Sequence, residues 1–310
     1  MTDAWEALFG DAPVVIDGGL STQLALLGQD ISGHLWTGRV LLDDPDAVSR
    51  AHADFVAAGA DVIISASYQL SRRGFAEAGM TRAQADDALR ASTRAARTAV
   101  DAVPGSGTLV AASVGPYGAV LHDGSEYRGR YGRTLRQLAD FHRERIEVLA
   151  ATEPDLLAIE TIPDADEAMA LVEVLADYPH LPAWMSFSAL DDGHVCAGQS
   201  IEEAVAVAAS APSIVAVGVN CTDPRHVAGL VDRIRAVCGL PIVVYPNAGG
   251  RWDASDGQWH GGAPAAMTLP FPDSDVTDWL RAGAVGVGGC CGTDAGTVRR
   301  IAGLLARPAG

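Results

Sequence analysis

The chain has 310 residues, 48% hydrophobic and 20% charged, with a formal net charge of −17. That length and apolar content suit one barrel-sized globular core, and the acidic balance argues against a nucleic-acid or anionic-membrane partner, since both require a basic face. The N-terminus carries acids and Trp5 in place of a signal sequence, no apolar run is long enough to span a bilayer, and the five cysteines lack disulfide spacing, which together point to the reducing cytoplasm.

The first strand-like run, Pro13 to Ile16, ends at Asp17-Gly18-Gly19, and a helix carrying Leu20, Leu24 and Leu27 follows. Asp44-Pro45 opens another helix, closed by Gly59; Asp61 to Ser65 is strand two, with Ser67-Tyr68-Gln69 at its tip. A helix from Thr81 to Val103 stops at Pro104-Gly105. Strand three, Thr108 to Val114, leads into a long polar loop, Ala119 to Arg133, and a helix from Leu135 to Thr152. Strand four, Leu156 to Ile159, ends at Glu160-Thr161.

The second half repeats the alternation more tightly. A helix begins at Asp164, strand five is Ala183 to Phe187, a helix spans Ile201 to Ala209, and strand six, Ile214 to Val219, ends at Asn220-Cys221. The helix His226 to Val237 precedes strand seven, Pro241 to Val244, and a glycine- and tryptophan-rich loop from Pro246 to Ala263. After the helix Asp273 to Ala282, strand eight, Ala284 to Val287, delivers Gly288-Gly289-Cys290-Cys291-Gly292, and a helix from Asp294 to Leu305 follows. Parallel strands buried on both faces read as continuous apolar runs, so this order predicts an α/β fold, a single (β/α)8 TIM barrel over residues 1–310. The competing open doubly wound sheet would carry a phosphate-binding glycine turn after strand one, but Asp17 would repel a pyrophosphate there.

Barrel active sites lie at the C-terminal ends of the strands. Asp17, Tyr68, Glu160, Asn220, Cys221, Cys290 and Cys291 all fall at such ends. Adjacent cysteines do not readily share a disulfide, but both reach one soft metal if the backbone bends, and the flanking glycines allow that. With Cys221 they form a three-thiolate zinc site with one open position. So electron-rich a site is a poor activator of water; it suits binding a fourth thiol as thiolate and presenting it as a nucleophile. Asp17 and Glu160 would hold the ammonium of an amino-acid thiol. Cys196 and Cys238 lack such a setting and read as small buried hydrophobes.

Asp17-Gly18-Gly19, the Tyr68 tip, Glu160-Thr161, Gly218-Val219-Asn220-Cys221 and Gly288-Gly289-Cys290-Cys291-Gly292 together resemble the zinc-dependent homocysteine S-methyltransferases, over nearly the whole chain. The resemblance implies a (β/α)8 barrel with zinc on Cys221, Cys290 and Cys291, and homocysteine sulfur as the fourth ligand. It also implies substrate contacts from Asp17, Gly18, Glu160 and Asn220, and Tyr68 beside the metal. Homocysteine is methylated by in-line displacement to give methionine.

Folate-dependent relatives carry added modules and betaine-dependent ones a C-terminal arm, whereas this sequence stops soon after strand eight. It is similar to the short branch that uses sulfonium donors, S-methylmethionine and S-adenosylmethionine. Tyr117, Tyr127, Tyr131, Trp252 and Trp259 would then offer aromatic faces to a methylsulfonium cation. One departure is that many relatives read Ser-Gly-Glu after Tyr245-Pro246-Asn247, where this chain has Ala248-Gly249-Gly250-Arg251. The expected assembly is a monomer or small homo-oligomer. Alternatives are the same chemistry with betaine as donor or another thiol or selenol as acceptor, a zinc hydrolase or lyase using His194 or His260, and a non-catalytic metal- or thiol-binding protein.

Overall fold

The computed structural model describes residues 8–10, 12–31, 36–249, 251–253, 258–260 and 270–306. The apolar runs become eight parallel strands: β1 (Val14–Val15), β2 (Val62–Ile64), β3 (Leu109–Val114), β4 (Leu156–Ile162), β5 (Ala183–Phe187), β6 (Ile214–Asn220), β7 (Ile242–Tyr245) and β8 (Gly286–Val287). Each pairs with its sequence neighbours, β8 pairs with β1, and a parallel bridge between Ile16 and Val62 joins β1 to β2, so the sheet curls into a (β/α)8 barrel.

Side-chain alternation along the strands separates two cores. Val14, Ile16, Ile64, Ala111, Ala158, Trp184, Ala216 and Val243 pack together inside the barrel. Val15, Ile63, Val110, Leu157, Met185, Val217 and Val244 face outward and pack with helix residues such as Phe55, Leu89, Ile146 and Leu230. The inward parity, carried to the C-terminal ends, falls on Ser113, Glu160, Ser186, Asn220 and Tyr245, all buried. That is how five polar side chains come to line one rim.

The helices follow the predicted order with ends set by caps. Thr81 and Thr134 form capping boxes with Gln84 and Gln137, so the helices they start run Arg82–Asp101 and Leu135–Ala150. Two short helices, Trp36–Asp43 and Arg72–Glu77, were not predicted. The second is fixed by its surroundings: Ser71 caps it and Arg72 makes a two-point ion pair with Asp86. No helix among the described residues is long and apolar enough to cross a membrane.

His52, in the helix Pro45–Ala57, is fully buried, and neither ring nitrogen has a hydrogen-bond partner among the described residues. Burial lowers its pKa from 6.5 to about 4. Between those values the unfolded chain binds a proton that the folded chain refuses, so His52 costs stability as pH falls through that window and costs none above it. His52→Leu removes the cost. Compared by urea unfolding at matched metal content, the stability difference should shift in the variant's favour by roughly 3 kcal/mol between pH 7 and pH 4. A pH-independent difference would show that the ring titrates normally.

Candidate metal centre

Cys221 follows β6, and Cys290 and Cys291 follow β8, so two loops deliver three sulfurs to one point on the C-terminal rim. The three Sγ atoms lie within 4.8 Å of one another. Cys221 and Cys290 are joined as a disulfide with Cα atoms 5.5 Å apart, and Cys291 Sγ is 3.9 Å from Cys221 Sγ. This corrects the expectation of no disulfide. The pairing residues are 69 positions apart, and only barrel closure makes them neighbours. Three sulfurs this close either share a soft metal or pair oxidatively. Cys196 and Cys238 lie outside the cluster.

The cysteine turn is held from both sides. Cys290 N donates to Pro246 O at 2.8 Å, and Cys291 O accepts from Ala248 N at 2.8 Å. On the other flank Gly289 N donates to Asp17 O at 3.0 Å, Gly19 N to Thr293 Oγ1 at 3.0 Å, and Gly292 N to Thr22 Oγ1 at 3.0 Å. Gly288 is needed for close approach: a Cβ there would stand 2.7 Å from Ile16 Cβ and 2.8 Å from Asp17 O. The backward bend falls instead at Gly292, with φ of 80°. Gly18 lies in the same staple, packed on Phe55 and Thr293.

Asn220 explains how Cys221 is aimed. Its Oδ1 accepts from Thr161 N at 2.6 Å and from Ser186 Oγ at 2.8 Å, and its Nδ2 donates to Thr161 Oγ1 at 2.7 Å. It thereby ties the tips of β4 and β6 at the two places where the backbone turns left-handed, Thr161 (φ 59°) and Cys221 (φ 46°). Such a conformation is rare outside glycine, and for a β-branched residue it persists only when the surroundings enforce it.

The carboxylates are buried beside the sulfurs. Asp17 is 1% exposed and accepts from Ile64 N at 2.8 Å; burial raises its pKa well above the usual range, and Glu160 adds to the rise. Glu160 accepts from the Ser113 and Tyr245 hydroxyls, yet burial still pushes it up to about 7. Tyr245 Oη also lies 2.9 Å from Trp184 Nε1 and 2.6 Å from Ser186 Oγ. The Tyr68 hydroxyl bonds Thr161, burial raises its pKa, and Arg145 holds the Tyr68 carbonyl at 3.3 Å. Ser113, Ser186, Thr161 and Tyr245 were not predicted as site residues; the signal was the inward parity of Tyr245 and the serines, legible once strand register is known.

The predicted polar loop after β3 is partly internal, with Ala119, Val120, Ser125, Glu126 and Gly129 buried. Its 3-10 turns, Tyr117–Val120 and Ser125–Tyr127, place Glu126 in the protein at 2% exposure. Tyr117 is already covered by Tyr131 at 5.3 Å and Phe141 at 5.0 Å, with the Arg73 and Arg133 guanidinium groups over its ring. Tyr131 Oη donates to Glu167 at 2.9 Å. These two rings are therefore scaffold, a correction to their expected role as cation-binding faces. Tyr127 does reach the site, hydrogen-bonded to the Cys291 thiol. In the loop after β7 the backbone forms a hairpin, Arg251–Asp253 with Gln258–His260, pairing Trp252 with Trp259; the side chains of these residues, and Gly250, lie outside the described residues. His194 is exposed and bonded to Asp191 at 3.0 Å, not at the metal cluster.

The homocysteine S-methyltransferase family profile matches residues 14–305. "Homocysteine S-methyltransferase 4" of Zea mays is 44% identical over 301 residues, covering 93% of this chain and 88% of the maize protein. The homocysteine methyltransferase MmuM from Escherichia coli, solved in a metallated form, superposes with a TM-score of 0.86 at 35% identity, covering 97% of this chain and 99% of that one. The same protein in an oxidized form gives 0.85 at 36% identity, covering 96% and 98%.

Proposed function

This chain belongs to the homocysteine S-methyltransferase family, and we propose that it methylates homocysteine from a sulfonium amino acid, with zinc held by Cys221, Cys290 and Cys291. The observation that carries the reading is the convergence of three cysteine sulfurs within 4.8 Å, beside Tyr68 and two buried carboxylates. The donor set fits: three soft sulfur ligands select zinc over the hard divalent cations and leave one position open. Zinc bound there would hold the homocysteine sulfur as thiolate near neutral pH.

The protein's own groups then bind and orient. Asp17 and Glu160 receive the homocysteine ammonium, a charge that offsets the cost of their burial. Gly18 keeps the backbone low where that amino acid lies, and Tyr68 stands against the sulfur. Asn220 acts by locking Thr161 and Cys221 in their left-handed conformations. In the transfer the homocysteine sulfur forms the new S–CH3 bond, and its thiol proton has already gone to solvent. The donor S–CH3 bond breaks with its electron pair staying on the donor sulfur, which leaves as a neutral thioether. With S-methylmethionine both products are methionine.

Glu160→Gln tests the amino-acid subsite. Losing a charge-assisted contact to the ammonium should raise the homocysteine KM by at least about tenfold, with a fall in kcat only to the extent that the sulfur is misaimed. Steady-state kinetics at saturating S-methylmethionine measures both. An unchanged homocysteine KM would remove Glu160 from this role.

A further inference from the structure

Glu126 sits in the turn Ser125–Tyr127, 2% exposed, and its Oε2 has no hydrogen-bond partner among the described residues. Gly118 makes that depth possible: a Cβ there would collide with the Glu126 backbone nitrogen and stand 2.7 Å from the Ser125 carbonyl carbon. Among the described residues no basic side chain contributes to the charge state of this carboxyl; burial, with Asp123 nearby, pushes it up to about 7. A buried carboxylate without a counter-charge is costly, and such groups persist mainly where a ligand supplies the missing partner.

Its neighbours identify the site it serves. Glu126 bears electrostatically on Tyr68, Tyr127 and Cys291. Glu160 also bears on Tyr68 and Cys291, but its other neighbours are Asp17 and Tyr245. Tyr127, next to Glu126 in the same turn, is hydrogen-bonded to the Cys291 thiol, so two separate acidic groups serve the cysteine cluster: Asp17 with Glu160, and Glu126.

A sulfonium amino acid and homocysteine each bring an ammonium group to that cluster. We infer that Glu126 receives the α-ammonium of the methyl donor, forming a second amino-acid subsite distinct from the one at Asp17 and Glu160; this rests on the sulfonium-amino-acid reading above. The chemistry favours the ammonium over the sulfonium as its target. The sulfonium loses its charge during transfer, so a carboxylate paired with it would stabilise the ground state alone. The ammonium keeps its charge throughout, so pairing there holds ground and transition states equally.

Removing such an interaction raises KM more than it lowers kcat. Glu126→Gln should therefore raise the KM for S-methylmethionine by at least about tenfold, leave the homocysteine KM unchanged, and weaken S-methylmethionine binding by a similar factor in isothermal titration. Thermal midpoint and metal content are matched to wild type first. If the glutamine variant does not fold, Glu126→Asp carries the test, with a smaller rise confined to the donor KM. A rise in the homocysteine KM, equal rises in both, or no change in either would overturn the assignment while leaving the family reaction intact. Wild-type protein that makes no methionine from S-methylmethionine would instead sink the donor reading, and this inference with it.

Discussion

Cys221→Ala, Cys290→Ala and Cys291→Ala proteins should each be purified without bound zinc and with methyl transfer close to background, whereas Cys196→Ala and Cys238→Ala should keep both. The loss should exceed the ~10–100-fold that follows from disturbing groups behind a metal's ligands. The three sulfurs lie within 4.8 Å of one another, and neither other cysteine joins them. Cys238 caps the far end of the helix Pro224–Val237, and Cys196 lies between β5 and the helix Ile201–Ala208, outside the cluster. Metal uptake should also depend on reductant, because the Cys221–Cys290 disulfide consumes two of the three ligands. Metal analysis after reduction, beside circular dichroism, is the measurement. The barrel core spans all eight strands and does not depend on the cluster, so the spectrum should survive chelation. Equal metal loss from Cys196→Ala and Cys290→Ala would refute the ligand assignment.

The strand tips were legible because parallel strands covered on both faces must be apolar throughout, so each run ends abruptly where chemistry begins. Asp17, Glu160, Asn220 and the cysteines are such endings. What stayed hidden depends on register and on loops folding inward. Tyr245, one residue past the predicted end of strand seven, belongs to β7, and its hydroxyl joins Glu160, Trp184 and Ser186 inside the barrel. Asn220 looked like a ligand contact, but its side chain binds Thr161 and Ser186, partners supplied by two other strands. The stretch Ala119 to Arg133 looked solvated because it is polar; two 3-10 turns and the close pass at Gly118 bury Glu126 within it. An acid beside Tyr127, in a loop punctuated by Gly118 and Gly124, was the available signal, and composition alone does not distinguish it from a surface acid.

A methylsulfonium amino acid should be used far better than betaine or methyltetrahydrofolate, by at least about a hundredfold in kcat/KM. The leaving group decides part of this. A sulfonium releases a neutral thioether and needs no acid, whereas a folate amine leaves poorly unless protonated, and every acid assigned to the site, Asp17, Glu160 and Glu126, is given to binding an ammonium group. Recognition decides the rest. Betaine's quaternary nitrogen carries no N–H, so it leaves any carboxylate built to accept a hydrogen bond unpaired, and sites of that kind reject such analogues strongly. Tyr117 and Tyr131 are committed to packing and to Glu167, so an aromatic cage for a trimethylammonium group would have to be built without them. Of the tyrosines expected to serve as aromatic faces, Tyr127 is the one that reaches the cluster, through its hydrogen bond to the Cys291 thiol. The test compares S-methylmethionine, S-adenosylmethionine, betaine and methyltetrahydrofolate on one reduced, zinc-loaded preparation. A first place for betaine or the folate would overturn the donor assignment while leaving the three-cysteine centre standing.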